Sequence, residues 1–92
     1  MMELRFTAKF KKDYKRIKRQ GKDISKLESA LEVLARGEAV PEAVRDHSLG
    51  GMYRGHRECH IEPDWLLIYR IDEEGLVLVA TRTGSHSELF GL

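Results

Sequence analysis

The stretch WLLIYRIDEEGLVLVATRT, residues 65–83, decides the architecture. Two apolar runs rich in Val, Ile, Leu and aromatic residues flank the turn formers Asp72, Glu73, Glu74 and Gly75, which is the pattern of two strands joined by a tight turn. A connection this short forces the strands to run antiparallel. Just upstream, MYRGHRECHI (52–61) alternates in polarity and is separated from Trp65 by Glu62, Pro63 and Asp64, so it adds a third consecutive strand and completes a meander.

Further upstream the apolar period changes from two to about 3.6. LRF (4–6) reads as a short first strand, and Thr7 offers a side-chain cap to a helix that begins at Ala8. Phe10, Tyr14 and Ile17 form one stripe of that helix, Gly21 stops it, and Lys and Arg fill the opposite face. In DISKLESALEVLARG (23–37), Ile24, Leu27, Leu31 and Leu34 form the stripe of a second helix, Ser25 and Glu28 have capping-box spacing, and Gly37 ends it. Glu38 to Gly51, with Pro41, Gly50 and Gly51 as breakers, reads as a connecting loop. The expected fold is α+β in the order β-α-α-β-β-β: one domain over residues 1–92, with a small antiparallel sheet packed against an N-terminal helix hairpin.

With 41% hydrophobic and 34% charged residues, the composition suits neither a disordered chain nor a membrane protein. No apolar run approaches the roughly 20 residues that span a bilayer. The single Cys59 cannot form an internal disulfide, and the N-terminus lacks the apolar core of a secretory signal, so a reducing cytoplasm is expected. The net charge of +1 conceals an asymmetry: residues 1–36 hold eleven Lys and Arg against five Asp and Glu, residues 37–92 five against ten. A basic half on a near-neutral domain suits a face that meets a polyanion, although a solvated helix rich in lysine gives the same count.

If the turn pairs Ile71 with Leu76, antiparallel counting sets Trp65 opposite Arg82, and the preceding turn brings His60 beside Trp65. His60, Trp65 and Arg82 then form one row at one end of the sheet, with Asp64 in the adjoining turn. His86, released by Gly84, folds back over the row, and His47 lies within reach in the loop. Two imidazoles and a guanidinium beside a phosphodiester suit metal-free RNA cleavage, in which the 2′-hydroxyl attacks its own phosphorus and the 5′-oxygen leaves with a proton. Trp65 or Phe90 offers a face on which a base stacks. Each residue also has a plainer reading: Trp65 as core, Asp64 as a turn residue, Arg82 as the partner of an acid, Phe90 as an anchor for the tail. A metal centre among His56, Cys59, His60 and His86 is set aside, because His56 and His60 on a strand lie roughly 13 Å apart. GSHSELFG matches no phosphate-cradling glycine motif.

The residues DHSLGGMYRGHRECHIEPDWLLIYRI (46–71) followed by TRTGSHSELFG (81–91) resemble the RelE/ParE superfamily of bacterial toxins, in particular its YafQ branch of mRNA interferases. The matching positions are His47, His60, Asp64, Trp65, Arg82, His86 and Phe90. The resemblance implies ribosome-dependent, metal-free cleavage of mRNA in the A site of the 70S ribosome, with no cofactor, leaving a 2′,3′-cyclic phosphate and a 5′-hydroxyl. It assigns His86 as general acid, His60 or His47 as base, Asp64 as the group that orients an imidazole, and Arg82 as the cation that stabilises the phosphorane. It also implies a cognate antitoxin in a hetero-oligomeric complex, and an rRNA-contacting role for Lys9, Lys11, Lys12, Lys15, Arg16, Lys18 and Arg19. The rival expectations are a non-catalytic toxin of the ParE type acting on DNA gyrase, and a basic protein-interaction domain.

Overall fold

The computed structural model describes residues 1–38 and 47–91, with His47 and Ser48 described by their backbone alone. The element order is β1 (Glu3–Phe6), α1 (Ala8–Arg19), α2 (Ile24–Ala35), β2 (His47–Ser48), β3 (Arg57–Glu62), β4 (Trp65–Asp72), β5 (Val77–Gly84) and α3 (His86–Phe90). The five strands form one sheet in the order β1-β5-β4-β3-β2. The meander β3-β4-β5 is antiparallel as expected, whereas β1 joins the edge of β5 in parallel, Glu3 opposite Val77 and Phe6 opposite Ala80. Strand β2 falls where a loop was expected. Of the expected loop from Glu38 to Gly51, residues 39–46 lie outside the described residues.

Thr7 caps α1 as the sequence suggests, its hydroxyl accepting from the Phe10 N–H at 3.0 Å. Helix α2 is capped by Asp23 rather than by Ser25, because the Asp23 carboxylate reaches the Ser25 N–H at 3.0 Å. Both helices cover one face of the sheet. Phe10, Ile17, Leu27, Leu31 and Leu34 pack there on Cys59, Trp65, Leu67, Tyr69, Leu78 and Ala80. The other face carries a smaller apolar cluster of Leu66, Ile68 and Leu89.

The strand register differs from the expected one in three places, and the differences decide which side chains meet. Glu73 and Glu74 both adopt left-handed backbone in the turn, which shifts the pairing to Asp72 with Val77 and Ile71 with Leu78. Thr81 is then an extra residue on β5: Tyr69 faces Ala80 and Ile68 faces Arg82. A second irregularity, at Ile61, sets His60 opposite Leu66 while Glu62 faces Trp65. Each extra residue inverts the alternation of its strand. Regular pairing would direct both His60 and Arg82 into the helix layer; the two irregularities deliver them to the opposite face, beside Leu66 and Ile68.

Strand β1 leaves β5 at Ala80, and the edge beyond is completed by side chains of α1 and its cap. The Thr7 hydroxyl donates to the Thr81 carbonyl at 2.7 Å, the Thr83 N–H donates to Asp13 Oδ2 at 3.2 Å, and Arg16 Nη2 donates to the Thr83 carbonyl at 2.9 Å. Buried backbone groups need such partners. Gly84 sits where a Cβ would come within 2.5 Å of Arg16 Nη2. Trp65 is fully buried and its Nε1–H donates to Thr83 Oγ1 at 2.9 Å, while that hydroxyl donates to the Leu66 carbonyl at 2.7 Å. Thr83→Val keeps the shape but strands the indole N–H, so it is expected to cost about 1–3 kcal/mol of stability. Urea unfolding measures this, and an unchanged midpoint would show that Trp65 finds another acceptor.

Candidate active site

Asp64, in the turn between β3 and β4, meets the start of α3. Its Oδ1 accepts from the His86 backbone N–H at 3.0 Å and lies 2.6 Å from His86 Nδ1. These two interactions, the backbone one first, hold Asp64 below the usual carboxylate pKa. An ionised carboxylate accepts only, so the proton sits on Nδ1, and Nε2 is left to work. The His60 ring lies 5.8 Å from that of His86, and the Phe90 ring 6.5 Å from it. His60 Nε2 is 3.3 Å from Oε1 of the buried Glu58.

Helix α3 is only five residues long, and several bonds fix it. Ser85 and Glu88 form a capping box, Gly91 closes the C-terminus in the left-handed conformation (φ 69°), and Leu89 plugs into the apolar cluster beneath. Glu88 Oε2 pairs with Arg16 Nε at 2.9 Å and accepts from Gln20 at 2.9 Å.

Arg82 lies on the same face but is engaged on one side. Its Nε and Nη2 donate to Asp13 Oδ2 and Oδ1 at 2.6 and 3.0 Å, and its Nη1 is 3.5 Å from the Tyr53 hydroxyl. The hydrogen bond to Asp13, ahead of the opposing effect of burial, raises the Arg82 pKa further above its already high value. Tyr53 in turn makes an edge contact with Phe90, with ring centroids 5.8 Å apart. Burial pushes the Asp13 pKa up, but hydrogen bonds from Arg82, Arg16 and the Thr83 N–H outweigh it, so Asp13 titrates below the usual carboxylate value.

Of the residues singled out in the sequence, His60, Asp64, His86 and Phe90 come together, with Arg82 alongside. The backbone of His47 pairs with that of Glu58 across β2 and β3, one strand from His60, and its side chain lies outside the described residues. Trp65 is a correction: its ring is buried in the core on the opposite face, so it offers no surface to a base. Arg16 is another, since its guanidinium is occupied by Asp13, Glu88 and the Thr83 carbonyl. Lys9, Lys11, Lys12, Lys15, Lys18 and Arg19 are exposed. Glu58 and Asp13 were missed, although both left signals. Glu58 is two residues before His60 on the same strand, hence on the same face, and Asp13 is the only acid in α1 and falls on its apolar stripe, three residues after Phe10 and four before Ile17.

The metal question also takes a different form. Glu58, His60 and His86 each offer one ligand atom, all within 4.8 Å of one another. One carboxylate and two imidazoles suit zinc or copper. Neither His56 nor Cys59 belongs to this group, so their spacing along β3 does not bear on it.

A family model described as a bacterial toxin of type II toxin-antitoxin systems, YafQ, matches residues 2–91. The fold and the imidazole–carboxylate site thus belong to a toxin domain, and the chain is a member of the YafQ family. It is 34% identical over 90 residues to the mRNA interferase toxin YafQ of Escherichia coli K12, covering 97% of this chain and 96% of that one. The crystal structure of a metal-bound toxin from Helicobacter pylori superposes with a TM-score of 0.91 at 38% identity, covering 98% of this chain and all of that one. The toxin of the E. coli DinJ-YafQ complex gives a TM-score of 0.89 at 34% identity, covering 99% of this chain and all of that one.

A depressed carboxylate stabilises the fold above its unfolded pKa, and this contribution is lost as pH falls through the lower folded value. For Asp13 the loss therefore begins near the ordinary aspartate pKa of 3.8 and continues below it. The urea midpoint of the wild type is expected to fall more steeply between about pH 5 and pH 2 than that of Asp13→Asn. Parallel slopes would exclude Asp13 as the source.

Proposed function

We propose that this toxin is an mRNA interferase, an endoribonuclease that cleaves message by acid–base catalysis and so arrests translation. The observation that carries this reading is the pair of imidazoles 5.8 Å apart, one of them held by Asp64 through Nδ1. Two such groups bracket a single phosphodiester. His60, with Glu58 beside it to balance the charge it acquires, takes the proton of the 2′-hydroxyl. The 2′-oxygen bonds to phosphorus, and the bond from phosphorus to the 5′-oxygen breaks. His86 Nε2 gives its proton to the departing oxygen, leaving a 2′,3′-cyclic phosphate and a 5′-hydroxyl. Arg82 stabilises the charge on the phosphorane. Phe90, about one-third exposed beside His86, takes the stacking role that Trp65 cannot fill. His47 remains the alternative base.

The exposed cations of α1, Lys9, Lys11, Lys12, Lys15, Lys18 and Arg19, form the surface that meets rRNA and holds the toxin over A-site message. Such contact weakens steeply with salt. A cognate antitoxin holds the toxin inactive, as suggested by the family membership and by the complex of the E. coli relative with DinJ. Translating ribosomes place this chemistry in the cytoplasm. No helix among the described residues is long and apolar enough to cross a membrane.

His86→Ala is expected to lower the cleavage rate roughly 10²- to 10⁴-fold while the protein stays folded. Mapping mRNA 5′ ends on translating ribosomes tests this; intact message with wild-type toxin, together with inhibited gyrase, would replace the nuclease reading by the ParE-like one. Because a metal would occupy the nitrogens through which His60 takes a proton and His86 gives one, added Zn²⁺ is expected to slow cleavage, and a chelator to leave untreated toxin unchanged on a model RNA. Loss of activity on chelation would make the metal a participant.

A further inference from the structure

We infer that Asp13, a residue of the basic helix outside the acid–base pair, is the positioning residue that aims the Arg82 guanidinium at the scissile phosphate. This rests on the assignment of Arg82 to the phosphorane made above.

A guanidinium has five N–H groups in a rigid plane. Asp13 occupies one edge of the Arg82 fork, taking Nε at 2.6 Å and Nη2 at 3.0 Å. That leaves one hydrogen of Nη2 and the two of Nη1, which makes a long contact with Tyr53, and the Nη1–Nη2 edge is the geometry that grips a phosphate with two parallel bonds. Nη1 lies 3.5 Å from the Tyr53 hydroxyl, and Tyr53 leans on Phe90, the neighbour of His86. The clamp therefore turns the unused edge toward the aromatic wall of the site. A flexible arginine held by one point would sample many orientations; held by two, it keeps one.

The same carboxylate also steadies the other side of the site. Asp13 Oδ1 accepts from Arg16 Nη1 at 2.7 Å, and Arg16 Nε pairs with Glu88 of α3, two residues after His86. Asp13 is 2% exposed and fixed by the helix and by the Thr83 N–H, so it is a rigid anchor common to the cation and to the helix of the general acid. Formal charges in this group cancel, Asp13 and Glu88 against Arg16 and Arg82. The contribution of Asp13 is accordingly directional: its own charge opposes the binding of an anion.

This gives a signature that a structural role lacks. Asp13→Asn removes a negative charge near the phosphate but replaces one clamping oxygen with an amide donor that repels the fork. The kcat for message cleavage is expected to fall about 10- to 100-fold, the scale for a misplacement near 1 Å, while KM stays level or drops. In an Arg82→Ala background the same change should cost clearly less than in the wild type, because no Arg82 guanidinium remains to aim and only the part acting through Arg16 and α3 is left. The four proteins are compared on translating ribosomes, with the folded fraction measured by circular dichroism and urea unfolding. Wild-type kcat in Asp13→Asn, a raised KM, or an equal loss in the Arg82→Ala background overturns the inference. If Asp13→Asn does not fold at the assay temperature, Asp13→Glu carries the same cycle, since it keeps the charge and displaces the anchor by one methylene. Absence of cleavage by the wild type would instead remove the nuclease reading itself.

Discussion

The ionised carboxylate of Asp13, almost wholly withdrawn from water, is the constraint on which the rest of the structure depends. An isolated charge in that position costs several kcal/mol. The cost is offset because two guanidiniums and a backbone N–H converge on it, and each of these groups has a second task. Thr83 belongs to the strand edge that β1 leaves unpaired, Arg82 reaches the face that carries His60 and His86, and Arg16 holds the short helix of His86. One charge thereby joins the closure of the sheet to the assembly of the site.

The sheet contributes by irregularity. In an unbroken meander the side chains of His60 and Arg82 would point into the layer under the helices, where unpaired charge is not tolerated. One extra residue at Ile61 and one at Thr81 turn them outward together. The Thr81 carbonyl, displaced from the ladder, is taken by the hydroxyl that also caps α1. The start of the basic helix and the bulge that orients Arg82 are therefore fixed by the same side chain.

The division of the molecule follows from this. One face is the hydrophobic layer with Trp65 and the helix stripes; the other is a small platform of Leu66, Ile68 and Leu89 carrying the titratable groups. The platform is shallow, which leaves Asp64 and His86 partly exposed to solvent. Helix α1 serves both faces. Its inner stripe fills the core and includes Asp13, Arg16 lies half-buried beside it, and its outer lysines face solvent.

The sequence by itself determined the order of the first strand, the two long helices and the three-stranded meander, the helix stripes and the first cap, because these depend on local period and on residues a few positions apart. It also marked His60, Asp64, His86 and Phe90, whose kinds and spacing resemble a known toxin family. Helix α3 was not anticipated, although the Ser85 to Glu88 spacing of its capping box is a local signal. Register was not legible. The left-handed pair Glu73 and Glu74 and the two extra residues shift or invert alternation without changing composition, so only the folded sheet decides that Trp65 is core, that Arg82 and His60 share a face, and that β1 runs parallel to β5. The partners of Arg82 and Arg16 are likewise tertiary facts: a buried acid 69 residues from Arg82 leaves no mark on the local pattern around it, because charge pairing acts through space and not along the chain.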